Sequence, residues 1–227
     1  MLSPSRQRAF GRLAGDLQRV FRDRFVALVA SDQTSSVAFV TDLAGDDLEA
    51  LAPLSAAWHR DGLATPLVMT RGEFERSLDA FPLEYQAMLD RHCVIAGTPP
   101  FAGVTVRAED LRRACEAQAR GHLIHLRQGW IQAGGHDDEL IALLGRSAAP
   151  FRALLSNVAR LHRAAHDTDA DLAAFAHDRI GMSAEIAGGV LALDTHPDEG
   201  PALVRRLGEY LAAAQQLWNF VDAWRES

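Results

Sequence analysis

Lysine is missing from this chain: all 23 of its basic Lys-plus-Arg positions are arginine. Beside the high alanine content, this reads as a bias toward GC-rich codons and not as a chemical selection, although arginine forks remain well suited to phosphates. Cysteine is almost as scarce. Cys93 and Cys115 are the two present and form no CxxC pair, which excludes a disulfide framework and a zinc ribbon and leaves both as small packed hydrophobes. No apolar run approaches the roughly 20 residues that span a bilayer. No apolar core of signal-peptide length follows Arg6, Arg8 and Arg12. The expectation is a cytoplasmic protein with no membrane association. An excess of positive charge is lacking too. The formal net charge is −7, which argues against broad nucleic-acid binding while leaving room for a local basic patch. P-loop, Rossmann, HExxH and nucleophile-elbow signatures are absent.

What is present is a 227-residue globular composition, 48% apolar, long enough for one large domain or two small ones. Phe10, Leu13, Ala14, Leu17, Val20 and Phe21 recur at helical spacing and predict a helix over 5–23, with Pro4 at its first turn. Residues 25–30 and 36–41, rich in Val and Phe, predict strands joined by the polar turn Ser31–Ser35, whose hydroxyls and carboxylate can bond to nearby backbone. A helix over 46–60, a third strand at 67–69, short helices at 71–78 and 81–89, and a fourth strand at 92–95 follow. Beyond Pro100 strand signals cease. Helical periodicity predicts segments at 108–132, 137–145, 148–164, 169–177, 182–193 and 198–225, the last with Leu203, Leu207, Leu211 and Trp218 facing inward. The reading is α+β, with a small mixed sheet and its helices in residues 1–104 and an all-α helical bundle in 105–227.

The candidate functional residues fall in four groups. The turn holds Ser31, Asp32, Ser35 and Ser36, and Asp42 closes the second strand. Glu84, in Phe81-Pro-Leu-Glu-Tyr85, is the carboxylate of interest before the helical region. On the helix around 111–130, His122 and His125 stand at i, i+3 and can share a face with several arginines. His162 and His166 stand at i, i+4, though histidines near a helix C-terminus also suit the helix dipole. None of these sets supplies enough ligands to predict a metal site.

The order of strand, small polar turn, strand, helix and third strand resembles the core of nucleotidyltransferases of the polymerase-β type, with a helical region attached as in two-part members of that superfamily. In active members the turn carries Gly-Ser and the second strand Asp-x-Asp, whose carboxylates hold magnesium against a triphosphate. Here those positions read Ala30-Ser31 and Ser36-Val37-Ala38. The resemblance implies a nucleotidyltransferase-like protein with a degenerate catalytic motif. It would retain a ligand- or protein-binding role: a nucleotide or small molecule at Ser31–Ser36, Asp42 and Glu84, or a protein partner or second copy. The alternative it implies is an active enzyme that moves an NMP group from a nucleoside triphosphate with magnesium, using relocated carboxylates. A pure interaction module built on the helices is a further alternative.

Overall fold

The computed structural model describes residues 2–193 and 195–225. The chain is a mixed α+β protein that divides into two compact units, Met1–Val106 and Arg107–Ser227. No helix among the described residues is long and apolar enough to cross a membrane.

In the first unit, helix α1 (Pro4–Phe21) starts at Ser3, whose hydroxyl accepts from the Arg6 N–H, a standard cap for an unsatisfied first-turn donor. Its buried stripe, including Phe10, Leu13, Leu17 and Phe21, is the one the spacing predicts. Four strands follow the apolar runs: β1 (Phe25–Ala30), β2 (Ser36–Val40), β3 (Leu67–Thr70) and β4 (Cys93–Gly97), in the order β3-β2-β1-β4. The β1–β2 hairpin is antiparallel, with Val29 opposite Val37 and Ala30 opposite Ser36. β4 runs antiparallel on the other side of β1, and β3 lies parallel to β2. A parallel neighbour cannot be reached by a tight turn. The chain makes the crossover through α2 (Gly45–Leu51) and α3 (Ser55–Arg60), and short helices α4 (Arg71–Arg76) and α5 (Pro82–Asp90) precede β4.

The sheet is covered on both sides. Leu28, Ala30, Ala38 and Val40 pack with α1, Leu51, Trp58 and Leu63. The alternate positions of a strand face the other way. There Phe39 meets Phe74 and Phe101 edge-on, with ring centroids 5.5 Å apart in each case, and Phe74 meets Tyr85 at 4.9 Å. As a result every residue of β2 is buried. Arg24, just before β1, grips Asp47 of α2 through two hydrogen bonds of 2.8 and 2.6 Å, and Asp47 also accepts from the Ala44 N–H. The guanidinium holds that carboxyl down to about 2. Gly97 ends β4 at φ +73°, where a Cβ would stand 2.0 Å from the Val26 carbonyl oxygen; only glycine fits this approach.

In the second unit every regular element among the described residues is helical. α6 (Ala108–Ala133) and α7 (Asp137–Leu161) are joined by Gly134 and Gly135, both at positive φ. Around them stand α8 (Asp169–Phe175), a π-helical turn at Ala176–Ile180, α9 (Ala184–Ala192), α10 (Gly200–Val204) and α11 (Leu207–Asp222). Two boundaries differ from the sequence reading. The expected break between 145 and 148 does not occur, and α7 runs unbroken through Pro150. Burial of Leu144, Ala148, Phe151 and Leu154 on one stripe outweighs the lost hydrogen bond of an interior proline, about 3 kcal/mol. The expected continuous segment 198–225 is instead interrupted at Arg205–Arg206, between α10 and α11. Leu203 and Leu207 are buried as expected, but Leu211 and Trp218 are half-buried, and Tyr210, Ala214, Leu217 and Val221 form the inner stripe of α11.

Candidate functional site

The hairpin turn brings Ser31, Asp32, Ser35 and Ser36 together, but commits them to one another. Asp32 Oδ1 accepts from the Thr34 N–H at 2.6 Å, the Ser35 N–H at 2.7 Å and the Thr34 hydroxyl at 3.0 Å. Burial pushes this carboxyl upward, but the donors of Thr34 and Ser35 prevail and leave it below its ordinary value. The Ser31 N–H and hydroxyl both donate to the Ser35 carbonyl. These backbone donors therefore build the turn and are not held out toward an anion. Ser36 is buried, and its hydroxyl has no hydrogen-bond partner. It shares a strand face with Ala38 and Val40, the face packed against α1.

The remaining expected residues lie elsewhere. Asp42 stands past the far end of β2, exposed, with the Arg24 guanidinium 3.9 Å away. At about 3.3 Å per residue it is roughly 20 Å from Ser36. Glu84 is exposed on the first turn of α5. None of the four strands carries a carboxylate, and no group of three or more His, Cys, Asp or Glu side chains among the described residues is placed to hold a metal ion. The residues present at this turn do not fit a magnesium–triphosphate site.

A different feature is built like a site. Between α6 and α7 lies a cavity of about 500 Å³, within the roughly 300–1,000 Å³ of ligand pockets. The helical spacing of Gln118, His122, His125 and Gly129 puts one face of α6 along its wall, and Leu143, Arg146 and Pro150 do the same from α7. A Leu143 methyl group lies 2.4 Å from where a Cβ on Gly129 would stand, so the Leu143 side chain fills the space beside that glycine. Pro150 has no N–H to give the Arg146 carbonyl, so a helical hydrogen bond is missing between two residues of the wall.

His122 is the pivot. It is 9% exposed, its ring stacks on Phe151, and its Nε2 is hydrogen-bonded to the Tyr210 hydroxyl at 2.7 Å. Burial, reinforced by the nearby His125, lowers His122 to about 4. Burial also pushes Tyr210 up. The pair is therefore neutral across the physiological range, a fixed hydrogen-bonding group and not an acid–base couple. Ser147 donates to the Leu144 carbonyl at 2.7 Å and is not presented to a base. Cys115 is no nucleophile either, since burial pushes its thiol up to about 12.

Set against known protein families, characterised proteins and solved structures, the chain matches none. Of the wall residues, His122 and His125 were visible in the sequence as a shared helix face. Ser147 and Arg146 carry no such signal, nor does Tyr210, which bonds to His122 without lining the wall; the one feature that marks Arg146 and Pro150 is the proline itself, which reads as a helix break.

Proposed function

We propose that this chain is a nucleotidyltransferase-like protein without transfer chemistry, which acts by binding. The observation that carries the reading is the burial of β2 on both faces. A metal clamp of the polymerase-β type needs two carboxylates at i and i+2 of this strand, pointing into a cleft. Here one i, i+2 set (Ser36, Ala38, Val40) lies against α1, and the other (Val37, Phe39) lies toward the aromatic cluster of Phe74 and Phe101. Neither face of the strand offers room for a triphosphate. The hairpin, the crossover helices and the third strand parallel to the second support the likeness in layout. Without metal clamping, little of the barrier reduction for phosphoryl transfer remains.

The test is incubation of the full chain with radiolabelled ATP, magnesium and a panel of hydroxyl and amine acceptors, proteins included. The expected result is no labelled product above the protein-free control. Robust, magnesium-dependent labelling of any acceptor would refute the reading.

A further inference from the structure

The cavity between α6 and α7 has a one-sided chemistry. Acidic residues outnumber basic ones in the chain, 30 to 23, yet none lines this wall. The wall instead presents Arg146, His125, His122 and the side-chain amides of Gln118, Gln128 and Gln132. Arg146 is exposed and forms no ion pair among the described residues, unlike Arg112, Arg152 and Arg206 of the same unit, each held by carboxylates. An unengaged guanidinium at a cavity mouth is a planar fork suited to a carboxylate or phosphate. Leu126, Leu143 and Pro150 supply apolar surface beside it. Inside, His122 is nine-tenths buried with its Nε2 committed to Tyr210, while no hydrogen bond within the protein engages its Nδ1. As His122 lines the cavity, that nitrogen is available to hydrogen-bond to a bound molecule.

We propose that this cavity binds a small organic anion, its charged group on Arg146 and His125, its apolar body against Leu126, Leu143 and Pro150, and a polar atom hydrogen-bonded to His122 Nδ1. The inference rests on the reading that the chain acts by binding, and names the class of ligand. The charged group is a carboxylate or a phosphate, because both match the arginine fork.

The test uses the full chain and three probes that share one ring: benzoate, phenyl phosphate and neutral benzamide. Binding is read from the ring signals of His122 and His125 in ¹H–¹³C spectra. The expected result is saturable shifts of both imidazoles at millimolar benzoate or phenyl phosphate, with benzamide weaker by about tenfold or more, the scale of one charge-assisted contact. Tighter binding of benzoate identifies a carboxylate ligand, and tighter binding of phenyl phosphate a phosphate ligand. Arg146→Gln, at an exposed position, is expected to weaken the anions by a similar factor without moving benzamide. Gly121→Leu adds its Cβ where nothing lies within 4 Å and extends a side chain at the edge of the cavity, so it is expected to weaken all three. Absence of ring shifts with both anions, equal affinity for benzamide and benzoate, or unchanged anion affinity in Arg146→Gln would overturn the inference. Labelled product in the ATP assay would refute the functional reading while leaving these titrations to stand or fall separately.

Discussion

Replacing His122 removes a pH dependence that the fold builds in. The native imidazole sits at about 4, whereas in the unfolded chain it returns to about 6.5. Because the folded value is the lower one, the unfolded state binds more protons between these limits. The stabilising effect of the neutral ring is therefore complete above the unfolded value and is lost as pH falls toward the folded one. With the folded value at about 4, the loss between pH 7 and pH 5 is about 2 kcal/mol, and the whole effect is about 3 kcal/mol. His122→Gln keeps an amide that can reach the Tyr210 hydroxyl but does not titrate. The assay is urea unfolding of the full chain followed by far-ultraviolet circular dichroism, at pH 7 and pH 5, for both proteins. The wild type is expected to lose about 2 kcal/mol more than the variant over that interval. Equal losses, or an imidazole that titrates near its ordinary value in ring spectra, would refute the buried neutral pair.

Three further outcomes follow from the first unit and the thiols. Ala38→Asp places a carboxylate on a fully buried strand position; the expected result is destabilisation by about 3–5 kcal/mol with no gain of ATP-dependent labelling, and a stable variant would mean that β2 is open to solvent. Gly97→Ala forces a Cβ against the Val26 carbonyl at positive φ, so a loss of more than about 1 kcal/mol is expected in thermal or urea unfolding, and a neutral effect would contradict the β1–β4 register. In the native protein Cys115 is fully buried and Cys93 half-buried; a thiol reagent at pH 8 is expected to modify Cys93 alone until denaturant is added, and rapid loss of both thiols would contradict the packing of α6.

Much of the secondary structure was legible because it rests on local physics. The hairpin follows from two Val- and Phe-rich runs around a Ser/Asp/Thr turn, and α1 and α6 from apolar residues at helical spacing. Asp32 shows how a correct local reading can still mislead about role. Its capacity to bond to nearby backbone was evident, and that bonding is what occupies it. Asp42 and Glu84 were drawn into the candidate site by order along the chain, but strand length separates Asp42 from the turn and Glu84 faces solvent on α5. The continuity of α7 through Pro150 was hidden because its compensation is tertiary burial, which no window of sequence displays. The cavity was hidden for the same reason: Tyr210, which fixes His122, lies 88 residues away in the chain.

The most direct test of the account is a map of backbone amide shifts in the full chain, titrated separately with phenyl phosphate and with ATP plus magnesium. Phenyl phosphate is expected to move amides of 118–132 and 143–150, and ATP with magnesium to leave Ser31–Ser36 unmoved. Magnesium-dependent shifts at Ser31–Ser36, with the α6–α7 amides silent to phenyl phosphate, would contradict it.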